Sequence, residues 1–258
     1  MSILPRERAQ DWISRWDRQQ EGYLPDREAR FTAMIDAVEA GAGRSDPLVL
    51  DLGCGPGSLA ARLLDRLPEA TVVAVDTDPL LLALGRAAHQ DRSGLRFEDL
   101  DLRAAGWSAA LGLERPVDVA MSTTALHWLP ERELRGMLAE LARLLRPGGL
   151  FLNGDHFEVA DVSPALAKLE HAIHDRATRR HFREGMPEDW RQWWDAVGAD
   201  PLLAEVCDER ARRRAAEHHG SESGDLSTHV TALREAGFSE IGTLWQNGNN
   251  RLLCAVHP

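Results

Sequence analysis

Short apolar runs alternate with segments of helical period through the first 155 residues. Residues 48–52, 71–76, 95–98, 117–122 and 150–154 are runs of four to six residues rich in valine, leucine and other apolar side chains, as buried strands are. Between them, 58–67 reads as a helix that stops at Pro68. The helix of 79–90 opens on Pro79, with Asp78 placed to cap it. A short helical patch surrounds Trp107, and 131–145 is a strong helix closed by Arg-Pro-Gly-Gly at 146–149. Strands apolar on both faces that alternate with helices predict a parallel sheet covered on both sides.

The flanks follow other patterns. Upstream, 25–43 places Phe31, Ile35 and Val38 on one helical face and stops at Gly41, preceded by a polar helical lead-in that carries Trp12, Trp16 and Tyr23. From about Asp155 to Asp225 no strand is predicted; charged helical segments dominate, and Trp190, Trp193 and Trp194 crowd together. The tail returns to sheet. Ser227 is placed to cap a helix that ends before Gly237, and two apolar runs flank Asn247-Gly248-Asn249-Asn250, a hairpin turn. The predicted organisation is an N-terminal helical cap over 1–45, a sheet domain over 46–155 and 226–258, and a helical lid or substrate insertion over 156–225.

Charge and cysteine content narrow the function classes. With 30 basic and 41 acidic residues the formal charge is −11, which disfavours a nucleic-acid partner. Cys54, Cys207 and Cys254 are far apart and form no CxxC, which fits a reduced, cytoplasmic setting. The first residues lack the apolar segment of a signal peptide, and no apolar run approaches membrane-spanning length, so no membrane partner is expected. Lys168 is the only lysine, a compositional bias that points to a bacterial source. No metal site is expected: His171 and His174 are three apart without the HExxH pattern, and His218 and His219 sit in a polar loop.

The stretch Leu-Val-Leu-Asp-Leu-Gly-Cys-Gly-Pro-Gly-Ser at 48–58 carries the chemistry. Gly53, Gly55 and Gly57 alternate directly after a buried strand, so something approaches the backbone closely. The dinucleotide pattern GxGxxG is absent, because Ser58 stands in its third glycine slot. Asp51 also precedes the loop, where a carboxylate suits an ammonium better than a pyrophosphate. These residues resemble the first motif of class I S-adenosylmethionine-dependent methyltransferases. Further segments follow in order: AVDTDP at 74–79, FEDLDL at 97–102, VDVAMSTTALHWL at 117–129 and LLRPGGLFL at 144–152. The likeness is greatest to small-molecule methyltransferases of the ubiquinone/menaquinone and trans-aconitate type. It covers about 46–155 strongly, and the last 30 residues in architecture.

That resemblance implies an α/β fold with a doubly wound, mostly parallel seven-stranded Rossmann-like sheet of order 3-2-1-4-5-7-6, the last strand antiparallel. It implies S-adenosylmethionine as cofactor and methyl transfer to a small-molecule acceptor by in-line displacement. The cofactor residues implied are Asp51, Gly53, Cys54, Gly55, Gly57, Asp76 for the ribose hydroxyls, Thr77, Asp101 with Leu102 for the adenine, Ser122 and Thr123. Asp99 is the alternative to Asp101. His127 and His156 are the candidate bases, and Trp12, Trp16, Tyr23, Asp155, Trp190 and Trp194 the candidate acceptor contacts. Trp128 is expected to pack under the helix that follows it. A cofactor-binding protein without catalysis, and a nicotinamide-dependent oxidoreductase, are the competing readings.

Overall fold

The computed structural model describes residues 4–159, 163–183, 185, 188–215 and 225–258. His218 and His219, and part of the expected lid, lie outside them. The elements run α1 (Arg6–Tyr23), α2 (Arg27–Gly41), β1 (Leu48–Leu52), α3 (Ser58–Arg66), β2 (Thr71–Asp76), α4 (Pro79–Ala88), β3 (Leu95–Asp99), α5 (Trp107–Ala110), β4 (Val117–Thr123), α6 (Glu131–Leu144), β5 (Leu145–His156), α7 (Pro164–His181), α8 (Trp190–Gly198), α9 (Ala204–Ala215), α10 (Leu226–Glu235), β6 (Glu240–Asn247) and β7 (Asn250–Val256). A 3-10 turn, Leu126–Trp128, links β4 to α6.

The seven strands form one sheet of order β3-β2-β1-β4-β5-β7-β6. β1 to β5 are parallel, and β7 runs antiparallel to both β5 and β6. Strand alternation sends Leu48, Leu50 and Leu52 to one face, where they meet Leu134, Leu138 and Leu141 of α6 and Leu233 of α10. Val49, Val72 and Val119 face the other way, onto Phe31, Met34 and Val38 of α2 and Leu59 and Leu63 of α3. So α2 is a layer of the sandwich itself, while α1 is the part of the N-terminal segment that covers other elements. α4 is apolar nearly all round. Leu82 lies against Ala74 of β2, and Leu80, Leu81 and Leu84 lie against Trp12 of α1 and Trp193 and Val197 of α8. This second layer is what carries α1 and α8 to the carboxyl ends of the strands.

Three local expectations are corrected. β5 starts at Leu145, not at residue 150, because Leu145 already pairs with Val117 and the Gly148 N–H reaches the His257 carbonyl across an irregular stretch. α10 is capped by Asp225, whose carboxylate accepts the Thr228 N–H, while the Ser227 hydroxyl turns back onto that carboxylate. The terminal strands each lie one residue nearer the turn than predicted and leave Gly248-Asn249 as a two-residue turn, with Gly248 at φ +60°. As expected, Asp78 caps α4, accepting the Leu80 and Leu81 N–H groups ahead of Pro79. No helix among the described residues is long and apolar enough to cross a membrane.

Candidate functional site

At the carboxyl ends of β1, β2, β3 and β4 lies a cavity of about 1130 Å³. Its floor is the loop after β1. Gly53 has φ +73°, and a Cβ there would stand 2.2 Å from that of Ala125. The Gly53 and Cys54 N–H groups both donate to the Val75 carbonyl at 2.8 and 3.0 Å, which ties the loop to the end of β2. Gly53, Cys54 and Gly55 line the cavity, but Gly57 does not. Gly57 takes a left-handed φ of +84° as the residue before α3, and any side chain there would meet the Phe97 ring at 2.7 Å.

Asp76 ends β2 beside this loop. Its carboxylate accepts N–H groups from Gly55 at 2.8 Å, Thr77 at 2.8 Å and Asp78 at 2.9 Å. Burial raises its pKa, and these N–H groups only partly offset that. Thr77, Asp101, Leu102 and Thr123 also line the cavity. Asp101 accepts the Arg103 backbone N–H and side chain. Asp99 does not face the cavity; it is paired to Arg213 at 2.8 and 2.9 Å.

Two expected residues sit behind the floor. Asp51 is fully buried, and neither carboxylate oxygen has a partner in hydrogen-bond geometry, although the Ala60 N–H lies close enough to favour the charge. Burial, with the Asp76 charge adding, pushes its carboxyl up to about 7. Ser122 is also buried and donates its hydroxyl to the Leu52 carbonyl at 2.7 Å, bracing β1 against β4.

The opposite end of the cavity is built around His127. Its Nδ1 meets both oxygens of buried Asp155 at 3.1 and 3.0 Å, which leaves Nε2 on the cavity side. Asp155 also accepts the His156 N–H at 2.8 Å. Burial opposes its charge, but His127, Arg30 and the His156 N–H overcome this and hold its carboxyl below the usual range. His156 lines the cavity too. Burial, and then the Arg30 charge, push its pKa down to about 4, and its Nε2 is buried without a partner. Such an imidazole is neutral near pH 7 but a weak base. Arg30 lies deeper and donates to Asn250 at 2.8 Å and to the Thr123 hydroxyl at 2.5 Å. Thr124, also on the wall, has φ +49°, a strained value for a β-branched residue, held by its N–H to the Gly154 carbonyl at 2.9 Å.

Of the expected acceptor contacts, Trp16, Tyr23 and Trp190 line the cavity, and Trp12, Trp194 and Asp155 do not. Trp12 is buried against Trp193 and donates its indole N–H to Asp200 at 2.9 Å. Trp194 stacks its face under Arg210, 3.4 Å from the guanidinium. Trp128 overturns its expected packing role: 56% exposed, it stands on the cavity wall beside His127. Sequence reading also missed Arg27, Arg210 and Arg213. Arg210 pairs with Asp78 at 2.6 Å, and Arg213 reaches the Thr77 carbonyl at 3.1 Å, so α9 clasps the ends of β2 and β3. Nothing in the local pattern of α9 signals that contact.

A Rossmann-like sheet whose first loop is GxGxG, with an acid at the end of β2, defines a nucleoside-cofactor enzyme rather than a dinucleotide one. Residues 49–149 match the methyltransferase domain family. The chain is 35% identical to the trans-aconitate 2-methyltransferase of Methylobacterium nodulans over 194 residues, 71% of this chain and 68% of that protein. It is 38% identical to the Azoarcus trans-aconitate 2-methyltransferase over 135 residues, 52% of this chain and 48% of that one. The match thus spans about half of the Azoarcus relative and two-thirds of the Methylobacterium one. Among solved structures, human N-acetylserotonin methyltransferase in complex with S-adenosylmethionine superposes with a TM-score of 0.52 at 15% identity, over 95% of this chain and 57% of that one. The N-methyltransferase NodS of Bradyrhizobium japonicum does so with a TM-score of 0.51 at 15% identity, over 90% and 96%. These two likenesses show the fold. The chain belongs to the class I S-adenosylmethionine-dependent methyltransferases.

The site fits that cofactor. S-adenosylmethionine carries a ribose diol, an ammonium and no phosphate. The cavity floor offers an anchored acceptor carboxylate at Asp76, and behind the loop lies the buried carboxylate of Asp51, whose oxygens have no partner in hydrogen-bond geometry and which would suit an ammonium. A drug-sized ligand fills roughly 300–1,000 Å³, so a cavity of about 1130 Å³ has room for the cofactor and a small acceptor.

Proposed function

We propose that this chain transfers the methyl group of S-adenosylmethionine to a small organic acceptor, with His127 as the base. The observation that carries the reading is a shared space: the His127–Asp155 pair and the Gly53–Gly55 loop with Asp76 open into one cavity. When bound, the cofactor supplies an electrophilic methyl on a sulfonium leaving group. Asp76 would accept from the ribose hydroxyls, Asp101 and the Leu102 backbone would meet the adenine, and Asp51 would balance the ammonium from behind the loop. Gly53, Cys54, Gly55, Thr77 and Thr123 would lie along the ligand, and Gly57 and Ser122 hold the frame.

His127 accepts the acceptor's proton at Nε2 while Asp155 orients the ring through Nδ1 and steadies the imidazolium that forms. Positioning two ligands side by side is worth up to roughly 7–11 kcal/mol of the barrier, and a base adds about 10²–10⁴-fold. His127, held by Asp155 at the far end of the same cavity, favours an enzyme over a binding protein without catalysis. In the same reading, the described part of 156–225 serves as a cover, with Trp190 on the acceptor side and Arg210 and Arg213 over the ends of β2 and β3. The three free cysteines fit a cytoplasmic location.

Titration calorimetry with S-adenosylhomocysteine and with NAD tests the cofactor half. Micromolar binding of the first with no comparable affinity for the second is expected. Equal affinity for NAD would return the oxidoreductase reading.

A further inference from the structure

The cavity carries two features that together specify the acceptor. The first is charge. Among the described residues, four arginines line the cavity wall: Arg27, Arg103, Arg210 and Arg213. Each already holds a carboxylate: Asp17 for Arg27 at 2.9 Å, Asp101 for Arg103 at 2.9 Å, Asp78 for Arg210 at 2.6 Å, and Asp99 and Glu209 for Arg213. The wall adds the carboxylates of Asp76 and Glu133. Arg30, whose Nε has no partner, lies behind Thr123 and off the wall. Three of the four therefore sit over the ends of β2 and β3, away from His127, and among the described residues every arginine on the wall is already paired, so a polycarboxylate beside His127 would lose its hydration without gaining a free arginine on the wall, which is costly.

The second feature is aromatic surface. Among the described residues, the large aromatic side chains more than a third exposed are Tyr23 at 47%, Trp128 at 56% and Trp190 at 41%, and all three line this one cavity. They come from α1, the 3-10 turn and α8. The Tyr23 hydroxyl accepts the Trp190 backbone N–H at 3.2 Å, which ties the Tyr23 ring to the start of α8. Trp128 stands beside the base, its ring centre 5.0 Å from that of His127. Exposed aromatic faces gathered on one concave wall mark a ligand surface, and they bind best to flat apolar rings.

We infer that the acceptor is an uncharged planar aromatic molecule bearing a weakly acidic hydroxyl, and not a polycarboxylate such as the substrate named for the relatives. The inference rests on the methyltransferase reading above. The ring lies among Trp128, Tyr23 and Trp190, and its hydroxyl points at His127. The proton passes to His127 Nε2 as the phenolic oxygen forms a bond to the methyl carbon. The carbon–sulfur bond breaks, its electron pair staying on sulfur. The products are an aryl methyl ether, S-adenosylhomocysteine and protonated His127.

The test uses the full chain. S-adenosylhomocysteine is titrated first; if it fails to bind, the cofactor reading itself falls and this inference with it. The loaded protein is then titrated with 2-naphthol and, separately, with trans-aconitate. Expected is binding of 2-naphthol at least about tenfold tighter than trans-aconitate. Trp128→Ala and Trp190→Ala should each weaken 2-naphthol by about tenfold while S-adenosylhomocysteine affinity stays within about twofold. Both side chains are well exposed, so neither change threatens the fold, and Trp128→Leu separates loss of a flat ring from loss of bulk. Trans-aconitate binding as tightly as 2-naphthol, no binding of 2-naphthol, or indifference to both alanine variants each overturns the inference while leaving the cofactor reading in place.

Discussion

The glycine-loop end of the cavity is made of backbone and carboxylates, and the tryptophan end of aromatic side chains and the imidazoles of His127 and His156. The first end is rigid by construction. The Gly53 and Cys54 N–H groups donate to the Val75 carbonyl and the Gly55 N–H to the Asp76 carboxylate, at 2.8 to 3.0 Å, where two adjacent parallel strands end. The second is assembled from α1, α8 and the 3-10 turn. There the contacts are side-chain packing and single hydrogen bonds, such as the one between Tyr23 and Trp190. A polar ligand of invariant shape suits the first end, and a variable guest suits the second, because side chains on separate helices can be exchanged without disturbing the sheet.

Variants that act on one end alone break or sharpen this contrast. The largest effect is expected for His127→Ala. Turnover should fall by about 10²–10⁴-fold, with S-adenosylhomocysteine affinity unchanged in calorimetry. A full loss of cofactor binding would mean that the two ends are one unit.

Asp76→Ala should act in the opposite sense. It removes the carboxylate that is held by three N–H donors, and S-adenosylhomocysteine affinity should drop by about 10- to 150-fold, as for the loss of a charge-assisted hydrogen bond. Undiminished affinity would place the ribose elsewhere.

The last effect concerns Asp51 and is read in stability, not in turnover or ligand affinity. Its carboxyl titrates at about 7 in the folded chain and near 3.9 when unfolded. The folded state therefore holds a proton that the unfolded chain has lost. That contribution is complete below pH 4 and disappears as pH rises through 7. Asp51→Asn does not titrate, so its stability relative to wild type should grow by up to about 1.4 kcal/mol per pH unit across that window. Denaturant melts at pH 5, 6 and 7 follow it. A constant difference would mean that Asp51 is not buried with its charge uncompensated.

What the sequence alone determined was everything made within one strand–turn–helix unit. The five parallel strands, the GxGxG turn, the Asp78 cap and the terminal hairpin follow from short-range periodicity and turn chemistry, because strand burial and left-handed glycines leave local signatures, while Asp76 is legible only through the family resemblance. Local pattern erred where an irregular strand or a competing cap stood within a few residues, as at Leu145 and Asp225. Only the tertiary structure decided which side chains meet. His127 finds Asp155 across 28 residues, Arg213 finds Asp99 across 114, and Tyr23 finds Trp190 across 167. It also set Trp12 into the core and Trp128 onto the wall, two tryptophans that composition cannot tell apart. The reason is physical: burial of a side chain depends on which distant helix covers it, and here that was settled by α4, whose apolar faces draw α1 and α8 over the ends of the strands.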